Sequence, residues 1–185
     1  KLLQPTTNTV WAAGTPHTIQ WATKGAITAV KLFYAANGTD FHSLAIEALA
    51  NTGSFSWTPN ASDAANGVGR VRVEDANDPT VSHTVEGLTI PSLTVTAPTE
   101  GTRWNAGSLQ TIQWSHRGVP TVKLSYSTDG IQFTDIASSV SSQTSTSGTY
   151  SWQIPPDAVK KAVTLRIVDA DPTRTGEAQA EALSA

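Results

Sequence analysis

Short runs in which apolar and polar residues alternate recur along the whole chain. The run His17–Trp21 places its isoleucine and tryptophan on one face, and the run Val30–Ala35 does the same with its valine, leucine and tyrosine. Because successive side chains of a β-strand point to opposite faces, this alternation predicts strands with one buried face. The other strands predicted in the first half are Lys1–Pro5, Phe41–Leu49, Phe55–Trp57, Arg70–Glu74 and Val81–Ile90.

Turn signals separate these runs at intervals of roughly ten residues. Asn37-Gly38 predicts a type I′ hairpin turn, in which both central residues have a positive φ. Asn51–Gly53 predicts another turn, and Pro59 ends the strand that follows it. Ala178–Ala185 is a segment that a helix would also fit. About seven short strands with this spacing are typical of an immunoglobulin-like β-sandwich.

The same pattern occurs twice because the chain contains a duplication. Trp11–Trp21 recurs 93 positions later as Trp104–Trp114, with its two tryptophans, its glycine and its isoleucine in the same places. Gly53–Trp57 recurs as Gly148–Trp152, and the six tryptophans form three matched pairs. A repeat of this length predicts two copies of one folding unit. The residues that both copies keep are first of all those that one copy needs in order to fold.

The duplication predicts two domains, 1–91 and 92–185, each an all-β, immunoglobulin-like (fibronectin III-like) β-sandwich of about seven strands. The closing strand of the second unit, around Glu177–Ala182, is poor in large apolar residues. We expect it to pair weakly or to depend on a following domain. Pro91-Ser92 is a short linker, so we expect a semi-rigid and elongated pair. Since the chain contains no Met, we also expect it to be a piece of a longer protein.

Composition and charge narrow the classes of partner. The net charge of −3, the pI near 5.7 and the lack of any run of Lys or Arg argue against binding to nucleic acid or to an anionic membrane. No apolar run approaches the roughly 20 residues of a membrane-spanning helix, so we predict no membrane insertion. The absence of Cys excludes disulfides, thiol catalysis and zinc–thiolate sites. Ser and Thr make up about a quarter of the chain, which favours a secreted or surface β-protein.

The motifs of the second copy resemble a known type of surface-protein repeat. They are the sequences TIQW at Thr111–Trp114, VKLSYS at Val122–Ser127, DG at Asp129-Gly130 and YSW at Tyr150–Trp152. Together with their counterparts in the first copy, they resemble the repeats of large secreted bacterial and archaeal surface proteins. These repeats are similar to the Ser-Thr-rich GPI-anchored fungal family and to the N-terminal domain of yeast cell-wall β-glucan assembly proteins. The resemblance implies an extracellular or cell-surface structural module.

Aromatic residues are the first candidates for a site, because an exposed tryptophan face can stack on a sugar ring. Trp11 and Trp104 lie in turn regions beside glycine, where a ring either caps the core or stands exposed. They are therefore the candidate carbohydrate-binding residues. The other aromatic residues of interest lie on the apolar phase of predicted strands, which favours the core. These predicted core residues are Trp21, Trp57, Trp114, Trp152, Tyr34 and Tyr126.

Two acidic turns are candidates for a metal site. Asp75 and Asp78 lie in one turn, and Asp169 and Asp171 lie in the matching turn of the second copy. Clustered carboxylates in a loop are the ligands that calcium prefers, although the EF-hand spacing is absent. Asp in a turn also commonly binds its own backbone. Beyond calcium at these turns, the sequence predicts no cofactor.

The sequence contains no catalytic motif, and we expect the protein not to be an enzyme. The four histidines occupy positions that the two copies do not share. No zinc-protease helix, nucleophile elbow or phosphate-binding loop is present. A covalent isopeptide link is a further hypothesis, because Lys31 and Lys123, and Asp75 and Asp169, are matched residues on or beside strands.

The function predicted from these observations is that of a structural or adhesion repeat, acting as a semi-rigid spacer in a larger extracellular or cell-surface protein. Its expected partners are neighbouring domains of the same parent chain and, beyond them, cell-surface polysaccharide or another protein. One alternative is a carbohydrate-binding module of a secreted enzyme or adhesin. Another is a subunit of a surface lattice or fibre that assembles by strand addition at the weak closing strand.

Overall fold

The chain is built almost entirely of β-strands. A computed structural model describes residues 1–156, 162–174 and 179–184. Within these ranges the helical elements are two 3₁₀ turns, Ala61–Asp63 and Pro172–Arg174, and no helix has the length and apolar character needed to cross a membrane. The predicted all-β fold is confirmed. The chain divides into two compact units, Lys1–Pro91 and Ser92–Ala185, which we call unit 1 and unit 2.

Unit 1 is a sandwich of two antiparallel sheets. Its strands are β1 (Leu2–Gln4), β2 (His17–Trp21), β3 (Ala29–Ala35), β4 (His42–Ser43), β5 (Leu49–Ala50), β6 (Ser54–Trp57), β7 (Ala65–Asp75) and β8 (Ser82–Ile90). One sheet has the order β1-β2-β6, and the other has the order β4-β3-β7-β8, with β5 also paired to β3. Since β4 and β5 are two pieces of one broken strand, the unit has the seven strands expected of an immunoglobulin-like sandwich.

Unit 2 repeats this plan. Its strands are β9 (Ser92–Ala97), β10 (Leu109–Arg117), β11 (Thr121–Ser127), β12 (Thr134–Ser141), β13 (Ser147–Gln153), β14 (Val163–Asp169) and β15 (Gln179–Ser184). The sheets are β9-β10-β13 and β12-β11-β14-β15, so each strand takes the place of its counterpart in unit 1. Both units therefore have the three-plus-four arrangement of a fibronectin III-like sandwich.

The apolar phase of each alternating strand faces the interior between the two sheets. In unit 1 the core lies between Ile19 and Trp21 of β2 and the valines and leucine of β3 and β7. In unit 2 Ile112 and Trp114 take the corresponding places on β10. Fully burying one such side chain stabilises the fold by about 1.5–3 kcal/mol, so these strands hold the two sheets together.

The hairpin after β3 differs from the sequence prediction in two ways. The predicted return strand Phe41–Leu49 is interrupted, because only its first part and the residues around its end pair with β3. The predicted type I′ turn is wrong, since φ is positive at Gly38 (83°) but not at Asn37. The side chain of Asn37 closes the turn instead, and its Oδ1 accepts hydrogen bonds from the backbone N–H of Thr39 (3.0 Å) and of Asp40 (2.9 Å).

The closing strand of unit 2 also differs from its prediction. Gln179–Ser184 pairs with β14 at six consecutive positions, from Val168 back to Val163. The helical alternative for this segment is therefore wrong, while weak pairing and dependence on a following domain stay predictions. Small residues such as Ala suit an edge position, where the ladder of backbone hydrogen bonds holds the strand in place. Glu177 and Ala178 lie outside the described residues.

Unit 1 is closed by a short parallel contact between its first and last segments. Val10 forms a parallel bridge with Thr89 of β8. The N–H of Trp11 donates to the carbonyl of Thr89 (3.0 Å), and the N–H of Thr89 donates to the carbonyl of Thr9 (2.9 Å). The segment after β1 thus leaves the first sheet and pairs with the edge of the second.

Candidate functional site

Each unit carries three aromatic side chains packed together at one end of its sandwich. In unit 1 the rings of Trp11 and Trp57 meet edge to face, with centroids 6.0 Å apart and planes at 67°. Tyr34 packs on Trp57 at 4.8 Å and 48°. We call these three residues the unit 1 aromatic cluster. Edge-to-face packing at such distances is the arrangement that aromatic rings favour, so the cluster stabilises the end of the core.

The unit 2 aromatic cluster has nearly the same geometry. Trp104 and Trp152 meet at 6.2 Å and 67°, and Tyr126 packs on Trp152 at 5.1 Å and 45°. The first member of each cluster comes from the loop before the second strand, and the other two come from facing sheets. The duplication has therefore kept the rings in place as well as the residue types.

Trp11 is enclosed. Its ring is 8% exposed, and the imidazole of His17 stacks on it at 4.8 Å with an interplanar angle of 10°. Nε2 of His17 lies 2.9 Å from the carbonyl of Ala12 and 3.0 Å from Oγ1 of Thr15, which fixes the imidazole in place. Trp11 therefore lies in the core and offers no open face on which a sugar ring could stack.

Trp104 is only partly buried and packs against the core of unit 2. His17 pairs with Trp57 across the strands, and Gln110 pairs with Trp152 in the same way. Nε2 of Gln110 donates to Oγ of Ser108 (2.9 Å), which matches the hydrogen bond between Nε2 of His17 and Oγ1 of Thr15. Among the described residues, the only ring packed on Trp104 is that of Trp152.

The residues on either side of Trp104 in the sequence are more polar than those beside Trp11. Arg103 and Asn105, both exposed, stand where unit 1 has Val10 and Ala12. Neither side chain makes a hydrogen bond or an ion pair within the described part of the chain. The loop of unit 2 is thus more polar than the matching loop of unit 1.

The remaining predicted core aromatic residues lie in the interior, except Tyr126, which packs against the core. Trp21 is 3% exposed and its Nε1 donates to Oδ1 of Asn51 (2.8 Å), while Trp114 is 1% exposed and donates to Oγ of Ser142 (3.3 Å). Trp57 and Trp152 are buried, as is Tyr34, and Tyr126 is half-buried. The hydroxyl of Tyr34 donates to the carbonyl of Asp63 (2.6 Å), so one core ring also fixes the 3₁₀ turn.

The acidic turn of unit 1 is held by its own carboxylates. Oδ1 of Asp75 accepts from the backbone N–H of Asn77 (2.9 Å). Oδ1 of Asp78 accepts from the N–H (3.1 Å) and the hydroxyl (2.6 Å) of Thr80. These bonds, the hydroxyl first, hold the pKa of Asp78 below its ordinary value. Each carboxylate therefore has a turn-forming role.

The matching turn of unit 2 has the same pattern of hydrogen bonds. Asp169 is 5% exposed, and its Oδ1 accepts from the N–H of Asp171 (3.0 Å). Oδ1 of Asp171 accepts from the N–H (2.9 Å) and the hydroxyl (2.7 Å) of Thr173. Within the described ranges, no group of three or more His, Asp or Glu side chains is placed to hold a metal ion. Calcium at these turns stays a prediction.

The lysine–aspartate pairs considered for an isopeptide bond are kept apart by the strand register. Lys31 lies opposite Glu74, the residue before Asp75. Since neighbouring residues of a strand point to opposite faces, Lys31 and Asp75 lie on opposite faces of the sheet. Lys123 and Asp169 are offset in the same way. A bond within either pair is therefore excluded by geometry.

An arginine on the outer face of the second sheet was not singled out from the sequence. The guanidinium of Arg72 lies 4.7 Å from the ring centre of Phe33 and 4.5 Å from that of Phe41, and it is 3.4 Å from a carboxylate oxygen of Glu74. In unit 2, Arg166 lies 3.5 Å from the ring centre of Phe133. The matched arginine and phenylalanine positions were the signal that could have predicted this cation–π contact.

Unit 1 also contains a contact between a histidine and a buried carboxylate. Nε2 of His42 lies 3.7 Å from Oδ1 of Asp63. The ring of His42 packs edge to face on that of Tyr34, with centroids 5.6 Å apart. Oδ2 of Asp63 instead accepts from the N–H of Asn60 (2.8 Å) and caps the 3₁₀ turn.

A shallow open depression of about 390 Å³ lies at one end of unit 1. Its wall includes Arg70 and Glu86, which form a salt bridge at 3.1 Å. The rest of the lining is mostly polar or glycine: Thr7, Asn37, Gly38, Thr39, Gly67, Val68 and Gly87. The depression contains no aromatic platform and no group of titratable side chains beyond that ion pair.

Among the comparisons with known proteins, only the one with solved structures finds similar chains. No protein-family model matches the chain, and no curated protein matches it. It is similar to the fibronectin(III)-like modules of Clostridium thermocellum CbhA, at 15% identity over 100% of this chain and 92% of that one, with a TM-score of 0.33. It is also similar to the two immunoglobulin domains of DIP-gamma, at 9% identity over 100% and 95% of the chains, with a TM-score of 0.46. Similarity at this level carries no functional argument, and the yeast cell-wall family stays a prediction.

Proposed function

We propose that the chain is a non-catalytic, load-bearing repeat module of a larger extracellular or cell-surface protein, in which it acts as a spacer or adhesion element. The residues that the two copies share support this role. The two aromatic clusters agree to within a few tenths of an ångström and three degrees, and their members lie in the cores or pack against them. A duplication that preserves core and turns is typical of a protein whose repeated property is the fold itself.

The parallel closure of unit 1 is the observation that carries the proposal. Val10 and Thr89 lie near opposite ends of the unit's sequence, yet their strands run parallel and are joined by two backbone hydrogen bonds. A force applied at the two ends of the unit pulls such strands along their own directions. The hydrogen bonds are then loaded together in shear, which resists extension better than opening them one at a time.

Other evidence bears on the alternatives. The lattice or fibre alternative would use strand addition at the other side of the closing strand, because Gln179–Ser184 is the last strand of its sheet and is paired with β14 on one side. The location outside the cell is supported by the Ser- and Thr-rich composition. Neighbouring domains of the parent chain are the partners that this role requires.

Single-molecule force spectroscopy on the full chain, tethered at both ends, tests the proposal. We expect two separate unfolding events, each releasing about 300 Å of extended chain, since an extended residue spans at most about 3.6 Å. Thr89→Pro removes the N–H that bonds to Thr9, so it should lower the force of one event and leave the other as an internal reference. Extension of both units without resolvable force peaks, or equal forces in the variant, would refute the load-bearing role.

A further inference from the structure

The first strand of unit 1, β1, is held on its two sides by different elements. The ammonium group of Lys1 donates to the carbonyl of Ala22, the residue after β2 (2.7 Å), and the N–H of Ala22 donates to the carbonyl of Lys1 (2.9 Å). Because these two residues form a hydrogen-bonded pair, the N–H of the next residue, Leu2, points away from β2. It donates to Nδ1 of His83 on β8 (3.3 Å), and this bond joins the two sheets of the sandwich.

The bond to His83 matters because the ladder of β1 is short. Leu2 and Gln4 pair with β2, and the register shifts between them. The matching strand of unit 2, β9, pairs with β10 at five positions. The side chain of Leu2 is buried and anchors β1 in the core, but few backbone hydrogen bonds support it. The bond to His83 is therefore a large share of what holds the backbone of β1.

We propose that His83 is a pH-sensitive latch, which holds β1 to β8 while Nδ1 is unprotonated and releases it when Nδ1 takes up a proton. A neutral imidazole has one nitrogen that donates and one that accepts, whereas both nitrogens of the charged ring donate. The bond from Leu2 therefore requires the tautomer with its proton on Nε2. Protonation brings two donors face to face and breaks the bond. The latch operates whether or not the module bears load.

The groups around His83 oppose its protonation. Lys1 carries two positive charges on β1's side, while the titratable residue of β2, His17, lies at the far end of that strand. On β7, Val73 is the register partner of His83, and Asp75 lies two residues further on the same face with its carboxylate bonded within its own turn. The nearest residues on the same face of β8 are both valines. Desolvation lowers the pKa of His83, and the charges of Lys1 lower it further.

Acidification is the condition that opens the latch. A histidine whose pKa is lower in the folded state stabilises that state above its unfolded value of about 6.5. The contribution decreases as the pH falls from there and is lost as the pH passes through the lower folded value. The latch is therefore closed at neutral pH and opens in mild acid. Its opening frees the backbone edge of β2, and unpaired edges of this kind accept other strands.

Hydrogen exchange of the full chain, measured by NMR at about pH 7.5 and about pH 5, tests the latch. The reporter is the amide of Ala22, which is protected by its bond to the carbonyl of Lys1. Its protection factor is the intrinsic exchange rate at each pH divided by the observed rate. We expect this factor to fall about tenfold on acidification, because the loss of one hydrogen bond loosens β1.

His83→Asn is the decisive variant, because the oxygen of its amide can take the place of Nδ1 but does not titrate. The protection of Ala22 should then be the same at both pH values. His83→Ala lacks the acceptor, so protection should be low at both. His42→Asn removes a half-exposed imidazole elsewhere in unit 1 and should keep the pH dependence of the parent chain. The proposal is wrong if acid leaves the protection of Ala22 unchanged in the parent chain, or if His83→Asn shows the same fall.

Discussion

Gly148 of β13 lies directly beneath the indole of Trp114, its cross-strand partner on β10. A Cβ built at Gly148 would overlap the indole ring, including Cζ2, Cε2 and Nε1. The indole of Trp114 fills the space that a side chain at position 148 would occupy, so the core stays packed although β13 has a glycine there. Gly53, the matched glycine of unit 1, is used differently, since it lies in a turn with a φ of 84°.

Gly148→Ala should destabilise unit 2 by about 3 kcal/mol, because the added methyl group forces the indole out of its position. Gly107→Ala is the control, since open space surrounds that glycine and only its positive φ is strained, which costs about 1 kcal/mol. Hydrogen exchange of the unit 2 amides, followed during urea unfolding, measures the change in the free energy of unfolding for both variants. In a Trp114→Phe background the clashing atoms are absent, so Gly148→Ala should cost much less. An equal cost in both backgrounds would contradict the overlap.

Tyr34→Phe should destabilise unit 1 by about 1–2 kcal/mol, because the buried carbonyl of Asp63 loses the hydroxyl that donates to it at 2.6 Å. Tyr126→Phe is the matched change in unit 2, where the ring is half-buried, and it should cost less than about 0.5 kcal/mol. Exchange protection of the amides in each unit reports the two effects separately. Equal losses in the two units would show that the bond to Asp63 is unimportant.

Arg72→Met should destabilise unit 1 by about 2–3 kcal/mol, since it removes two cation–π contacts and leaves the carboxylate of Glu74 buried without its cation. Arg70→Met is the control, because the Arg70–Glu86 pair is exposed and should contribute less than about 1 kcal/mol. Adding Glu74→Leu to Arg72→Met should restore part of the loss. Chemical unfolding measures all of these variants, and a further loss in the double variant would contradict the role of the buried charge.

The pKa of Asp78 is lowered first by the hydroxyl of Thr80 and then by its N–H. A carboxyl whose pKa is lower in the folded state stabilises that state at a pH above its unfolded pKa, and the contribution is lost as the pH falls through the folded value. We therefore expect the turn to weaken only below about pH 4. Thr80→Val should raise the pKa of Asp78, measured by carboxyl ¹³C titration. Asp129, whose pKa is lowered by the N–H groups of Gln132 and Ile131, should not change and serves as the internal reference.

The alternation of apolar residues, with the turn signals between the runs, was enough to predict most strands and the immunoglobulin-like sandwich. It failed in Phe41–Leu49, where the pattern breaks: Ile46 is fully exposed, and Leu44 and Leu49 pack on the core from an irregular segment. A continuous strand would need every second residue to face inwards. Broken pairing therefore satisfies more apolar contacts here than a regular strand would.

The difference between the two tryptophan loops could not be predicted from periodicity. Whether Trp11 is covered depends on a contact with His17, six residues away, and on two hydrogen bonds that fix the imidazole. The burial of Glu74 is similar, because the residue lies on the outward phase of β7 and is covered by the long side chain of Arg72. Side-chain length and loop conformation determine the burial of both residues, and neither property produces a periodic pattern in the sequence.

The loops 10–17 and 103–110 begin and end at matched positions of the same framework, and they have the same length. They are therefore interchangeable parts, and grafting either one onto the other unit should preserve the register of the strands that flank it. Such a framework separates the residues that secure folding from those that are free to diverge. One copy can keep a loop that covers its tryptophan while the loop of the other copy changes in sequence. A mutation in the second loop then need not destabilise either core.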